Sequence, residues 1–253
     1  MSLKINKSQI ERFSRQIILK KIGSQGQKKI IESKVLIIGM GGLGCPVAEF
    51  LTRAGVGTLG IVDYDIIDLS NIHRQSLYDS NDIKKNKVKI AKIKLKKINP
   101  HVNINTYNVK LDKKNSEKII KNYDYIIDGT DNFKSKFLIN DCCLKQKKLL
   151  ISGAISKFDG HVFVLNSNSK KNPCLRCFFQ EEKVSEDVLD CEFEGVLGTI
   201  ANIVGTIQAN EVLKHILRIG KSLNGFILIL DLLNLNFRKV KFKKINNCLC
   251  NKI

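Results

Sequence analysis

Residues 35–65 read VLIIGMGGLGCPVAEFLTRAGVGTLGIVDYD, and the order of signals inside this stretch decides the fold. Lys34 to Ile38 is a short β-branched run that reads as a buried strand. Gly39-x-Gly41-Gly42-x-Gly44 follows at once, Leu43 to Arg53 reads as a helix ending near Gly55, and Thr58 to Val62 as the next strand. Glycines between a strand and a helix can take positive φ and let the backbone come close to phosphates. The helix N-terminus behind them offers unpaired N–H groups to an anion. Asp63 ends the second strand 19 residues after Gly44, where an acidic side chain can bond a ribose hydroxyl. These residues predict a bound nucleotide but do not say which.

Outward from this unit the alternation continues. Ser8 to Lys21 has helical spacing of Ile10, Phe13, Ile17 and Ile18. A Lys-rich helix is predicted from about Asn86 to Ile98, a strand over Val102 to Tyr107, a helix around Ser116 to Lys121 and a strand over Tyr125 to Asp128. Phe133 to Lys145 reads as a helix and Leu149 to Ser152 as a strand. Strands alternating with helices at this pitch predict a Rossmann-like α/β fold, a mostly parallel sheet with helices on both faces. After Gly153 the runs GHVFVLN, GFILILDLL and NFRKVKFKKI read as antiparallel strands extending the sheet, with a long helix among them. A single domain over 1–253 is the expectation, two small ones the alternative, with a nucleotide-binding core at about 34–153.

Composition narrows the function. The chain of 253 residues is 43% hydrophobic and carries a formal charge of +19. Of its 43 basic residues 36 are Lys and 7 are Arg, spread along the chain without aromatic interleaving, so nucleic acid is set aside as the main partner. The N-terminal MSLKINKSQIERFSRQ lacks the apolar core of a secretory signal. The longest apolar segment, Gly198 to Gly220, is broken by Asn202, Gln208, Asn210, Glu211 and Lys214, which predicts a buried helix and no membrane span. A cytoplasmic location is expected.

The residues after Asp63 separate a hydride-transfer site from a triphosphate site. LSNIHRQSLY brings Arg74, NKVKIAK brings Lys87 at a helix start, and IIDGTDNFKSK places Asp128 and Asp131 at the carboxyl end of a strand, the edge where open α/β sheets bind ligands. Two cations for a polyphosphate and a carboxylate for Mg²⁺ suit attack on a nucleoside triphosphate. Asp131 beside Asn132 could instead cap the following helix.

At this point the chain resembles the MoeB/ThiF family, relatives of ubiquitin-activating enzymes. RFSRQIIL, GMGGLG, LSNIHRQ, DGTDN, PCLRC and GVLGTIANIVGTIQANEVLK each resemble a family motif, and together they run nearly the full length. The resemblance implies an adenylyltransferase that uses MgATP to activate the C-terminal Gly-Gly carboxylate of a small ubiquitin-like sulfur carrier as an acyl adenylate. The product would serve thiamine-thiazole or molybdopterin synthesis. By position it implies that Gly39, Gly41, Gly42 and Gly44 back the nucleotide and Asp63 holds the ribose. Asn71, Arg74 and Lys87 would meet phosphates, and Asp131, with Asn132 beside it, would take Mg²⁺ or orient the reacting groups. Arg15 would be an arginine finger for the other subunit of a homodimer. No general base is needed, because a terminal carboxylate is already ionised near neutral pH. An NAD(P)-binding oxidoreductase is the competing reading, and it leaves Arg74, Lys87 and the paired cysteines unused. A nucleotide-binding module without turnover is a third, against which the retained Arg74 and Asp131 speak.

The eight cysteines are unevenly placed. Cys174 and Cys177 have zinc-ligand spacing, and four-thiolate sites need a second pair. The family supplies that pair as C-x-x-C near the C-terminus, whereas here Cys248 and Cys250 form C-x-C, one residue short. A structural Zn²⁺ on these four is the expectation, within a carrier-binding and zinc-binding part at about 154–253. Cys191 lies in the acidic stretch QEEKVSEDVLDCEFEG, which resembles the family's crossover loop, where some members use a cysteine in sulfur transfer. Like charge disfavours its thiolate. No rhodanese-like extension follows within the chain, so a separate sulfur donor is expected, a cysteine desulfurase or a rhodanese-like protein. Cys45, Cys142 and Cys143 are read as core.

Overall fold

Both faces of strand β1 (Lys34–Ile38) are covered, and four of its five residues are buried for that reason. Side chains alternate across a strand. Val35 and Ile37 accordingly join one apolar cluster and Leu36 and Ile38 the other. The computed structural model describes residues 5–166, 172–179 and 195–251. The remaining strands are β2 (Thr58–Val62), β3 (Asn103–Tyr107), β4 (Tyr125–Asp128), β5 (Leu149–Ser156), β6 (Asp159–Asn166), β7 (Phe226–Asp231) and β8 (Asn236–Lys241). All belong to one eight-stranded sheet in the order β3-β2-β1-β4-β5-β6-β7-β8. The first five pair parallel, and β5 through β8 pair antiparallel.

The helices are α1 (Lys7–Arg12), α2 (Ser14–Ile17), α3 (Gly23–Glu32), α4 (Gly44–Ala54), α5 (Lys87–Ile98), α6 (Ser116–Ile120), α7 (Phe133–Lys145), α8 (Leu175–Phe178) and α9 (Gly198–Leu217). One face of the sheet packs on α3, α4, α5 and α9, the other on α6, α7 and α8. The chain leaves β1 toward β2 and β3, then returns to the other side of β1 as β4. The carboxyl ends of β1 and β4 therefore flank the point where strand order reverses, the place where such sheets bind ligands.

The helix predicted over Ser8 to Lys21 is two helices. They break at Phe13, whose ring is buried against Gly55 at the end of α4. Gln16 donates to Gln27 at 3.1 Å and to the Ala54 carbonyl at 3.2 Å. Docking on α3 and α4 overrides the continuous helical spacing. The long apolar helix α9 is buried between β5, β6 and α4, and no described helix is long and apolar enough to cross a membrane.

Candidate functional site

The glycine loop is closed by backbone packed on backbone. Gly39 has φ of 90°, and a methyl there would lie 2.8 Å from the Gly129 carbonyl oxygen, across the gap between β1 and β4. At Gly44, the first residue of α4, a methyl would lie 1.9 Å from the Gly39 carbonyl. The loop is thus folded so tightly that no side chain fits at Gly39 or Gly44, and the N-terminus of α4 opens at the switch point. Gly41 faces Gln75, and Gly42 faces Arg74 and Ala201 of α9.

Asp63 ties this loop to the end of β2. Its carboxylate accepts from the Met40 amide at 2.7 Å and the Asp65 amide at 2.9 Å. Burial pushes its pKa above the ordinary carboxylate value, opposed first by the nearby Lys87. Lys87, almost wholly buried, begins α5 and reaches Asp65 at 3.0 Å. The Tyr78 hydroxyl donates to the Met40 carbonyl at 3.1 Å and lies 3.4 Å from the Lys87 carbonyl, holding the glycine loop and the start of α5 together.

Asn71 and Arg74 share one turn. The Asn71 carbonyl accepts from the Arg74 and Gln75 amides. The Arg74 guanidinium folds back onto the Ser70 carbonyl at 2.7 Å and lies 2.9 Å from His73 Nε2. It is partly exposed beside Gly42 and can swing outward to an anion.

Asp131 is exposed on the loop after β4, and it helps to raise the Tyr64 hydroxyl pKa, after Asp65 and burial. It therefore stands close to the end of β2. Asn132 caps α7, its side chain accepting from the Ser135 amide at 2.9 Å. The cap is Asn132 and not Asp131, which leaves the Asp131 carboxylate available. Arg15 lies elsewhere. It is exposed on α2, at the end of α4 away from the glycine loop, about 16 Å off by the rise of an 11-residue helix.

Several residues at this edge carried no readable signal. Gln75 is buried against Gly41, and its Oε1 has no hydrogen-bond partner among the described residues. Asp65, Lys136, Ser152 and Gln208 also converge here, and only tertiary contacts reveal them.

The second cluster is sulfur. Cys174 lies 3.8 Å from Cys177 and 3.6 Å from Cys248, and Cys177 lies 3.6 Å from Cys250, sulfur to sulfur. All four sulfurs fall within 4.8 Å of one another. A tetrahedral ion with metal–sulfur bonds near 2.3 Å sets its sulfurs about 3.8 Å apart. The four thiols fit such an ion, and the C-x-C pair reaches the site. Leu249–Asn251 forms a 3₁₀ turn, and the Asn251 side chain donates to the Ile245 and Asn246 carbonyls, which draws both sulfurs to one side. The hydrogen bond between Cys174 and Cys177 favours one thiolate in the pair, lowering Cys177 and raising Cys174. The other half of the site is anchored on α7. The Leu175 amide donates to Asn140 at 2.9 Å, and Arg176 pairs with Asp141 at 2.8 Å.

Cys45, Cys142 and Cys143 are buried, and burial pushes the first to about 12 and the second to about 11. They are core, as expected from their positions. Cys191 lies outside the described residues.

A doubly wound sheet with a glycine loop at its switch point, with Arg74, Lys87 and an exposed Asp131 around that edge, is an α/β fold with a candidate nucleotide site. Comparison with known proteins narrows the class. The model of the ThiF family matches residues 13–252, so the chain belongs to that family. It is 37% identical over 245 residues to the sulfur carrier protein adenylyltransferase of Thermus thermophilus, covering 96% of this chain and 90% of that one. To the adenylyltransferase and sulfurtransferase MOCS3 of Aedes aegypti it is 40% identical over 249 residues, and it spans 56% of that protein's length. The chain thus spans about half the length of the MOCS3 relatives it matches. In fold it resembles E. coli MccB crystallised with ATP, with a TM-score of 0.82 at 20% identity over 94% of this chain and 74% of that one.

Proposed function

We propose that this chain is an ATP-dependent adenylyltransferase that activates the C-terminal Gly-Gly carboxylate of a small ubiquitin-like sulfur carrier, releasing pyrophosphate. One observation carries the reading. Arg74 stands beside Gly42 of the glycine loop, while Lys87 at the start of α5 and Asp131 after β4 both act on the end of β2, at the switch point of a ThiF-family fold. A hydride-transfer site has no use for that set.

The chemistry follows from what the residues offer. The glycine loop and the N-terminus of α4 receive phosphate oxygens, and Asp63 faces the ribose. The carrier's carboxylate attacks the α-phosphorus, the bond to the bridging oxygen breaks, and pyrophosphate leaves with the electron pair. Charge then builds on oxygens that Arg74, Lys87 and Asn71 are placed to meet. The Asp131 carboxylate, with open acceptor sites, would hold a Mg²⁺, whose part is to neutralise phosphate charge. The four cysteines would hold a structural Zn²⁺, which fastens the C-terminal turn to α8.

Arg15, exposed beside the end of α4 away from the glycine loop, would act in the site of a second copy. Exposed Ile10, Ile18 and Leu19 beside it, with Phe50 on α4 and Ile203 on α9, supply apolar surface for such a homodimer. The carrier-binding part is the region after Gly153. Cys191 is kept as the candidate for a covalent step.

ATP–pyrophosphate exchange tests the reading, run with each small Gly-Gly-ending carrier of the same genome. Exchange with one carrier and not another identifies the pathway as thiazole or molybdopterin synthesis. Folded, zinc-replete protein that exchanges with none would overturn the adenylation reading.

A further inference from the structure

The two aspartates at the end of β4 do different jobs. Asp128 is fully buried, and its carboxylate is met by four donors. Oδ1 accepts from the Thr130 amide at 2.9 Å and the Thr130 hydroxyl at 2.6 Å; Oδ2 accepts from Lys136 at 3.0 Å and Ser152 at 2.6 Å. A carboxylate has about four lone-pair sites, so the protein saturates this one and leaves nothing for a metal or a nucleotide. Asp131, three residues on, is exposed and accepts only from its neighbour Asn132, at 3.2 Å, among the described hydrogen bonds.

The Asp128 cluster draws on every layer around the site. Lys136 comes from α7, is itself buried, and donates also to the Gly153 carbonyl of β5 at 2.6 Å. Gln208 of α9 donates to the Asp128 carbonyl at 2.9 Å and lies 3.3 Å from that of Ile151. Toward its other end, α9 touches the Arg74 turn, where the Asn202 side chain donates to the Arg74 carbonyl at 3.3 Å. A buried ion pair is a costly way to fill a core, since apolar side chains of similar volume do so at least as stably. What it supplies is fixed direction.

We infer that Asp128 is a positioning residue of the nucleotide site. Through Thr130 it sets the turn that carries Asp131. Through Lys136, Ser152 and Gln208 it ties that turn to α7, β5 and the helix that also holds the Arg74 turn. This rests on the reading of Asp131 as the residue that meets MgATP.

Two sets of changes test it in the full chain. Thr130→Val keeps the side-chain shape and the backbone N–H and deletes one bond to Asp128. Asp128→Asn combined with Lys136→Gln removes both charges together, so no unpaired charge is left buried. ATP binding is measured by calorimetry with and without Mg²⁺, alongside thermal melts and pyrophosphate exchange. Both variants should fold and bind metal-free ATP as the parent does. The strengthening of ATP binding by Mg²⁺ should fall about fivefold, and kcat about tenfold with a smaller change in KM, as expected of a misplaced reacting group. Should the paired variant not fold, Thr130→Val decides alone. Folded variants with the parent's Mg²⁺ response would overturn the inference, as would a parent protein whose ATP binding ignores Mg²⁺. A parent that binds MgATP but exchanges with no carrier fails the adenylation reading alone, and the binding measurements still test Asp128.

Discussion

In β1 four of five residues are buried, whereas all six residues of β8 are exposed. Both are paired strands of one sheet, so the hydrogen-bond ladder does not account for the difference. β1 lies at the centre, clamped by helices on both faces. β8 is an edge strand carrying Arg238, Lys239 and Lys241, charges that discourage pairing with a further strand. The antiparallel end is held by other means: the Phe163, Phe178 and Phe242 rings packed edge to face, and the sulfur cluster that joins the last residues to α8. β1 is thus held by core on both of its faces and β6 and β7 share that core, whereas β8 and the last residues sit at its margin, where the ring cluster and the four cysteines pack.

The strongest way to break this contrast is at Asp131. Asp131→Ala should lower kcat for adenylation by about 10²–10³, the usual cost of losing one preorganised charge-stabilising group, while the melting temperature stays put. Loss of folding together with activity would show that the carboxylate is structural. A chelator, acting on the metal proposed for the four cysteines, or Cys177→Ser should affect the other end of the sheet. The expected loss is several kcal/mol, or roughly 10 °C in Tm at ~2–4 °C per kcal/mol for a chain of this size. Hydrogen exchange should lose protection in β7 and β8 before β1 and β4; uniform loss would erase the distinction between the halves.

If the proposed homodimer forms, Arg15→Ala should reduce exchange by about tenfold without dissociating it, and mixing it with Asp131→Ala should restore part of the turnover through hybrid sites. Demonstrated mixed dimers without recovery would count against action across the interface. Asn132→Ala should cost about 1 kcal/mol by removing the cap of α7, and any excess loss of kcat would show that it also meets the nucleotide. The smallest effect concerns pH. The Asp63 carboxyl titrates higher in the folded chain than its ordinary value of 3.8. The native state therefore holds the proton longer than the unfolded chain does. Wild-type stability relative to Asp63→Asn should fall as pH rises from 3.8 through the folded value and level off above it. Urea titrations at a series of pH values would reveal the slope, and a rising slope would contradict the burial of this group.

Much of the site was legible because its signals are local. Gly39 to Gly44, Asp63, Lys87 and Asp131 sit next to a strand end or a helix start, which periodicity helps to locate, and Arg74 was picked out by its order along the chain. Lys136 was not legible. It is one of 36 lysines, and what distinguishes it is a partner on β4 and a carbonyl on β5. The same holds for Gln75 and Gln208, polar residues inside apolar surroundings whose value lies in contacts far along the chain. The break at Phe13 was missed because helical spacing extends through it and only the surface of α4 interrupts it.

From the sequence by itself came the alternation that makes a doubly wound sheet, the glycine loop between its first strand and helix, and the residue types that suit a triphosphate. Short-range sterics and side-chain period dictate these, and both are written in consecutive residues. Only the tertiary structure decided which aspartate of DGTDN is open to a ligand and whether a C-x-C pair can complete a four-sulfur site. It also placed Arg15 on α2, beside the end of α4 that lies away from the glycine loop. Each of those depends on where distant segments meet, and such meetings are settled by packing the whole core.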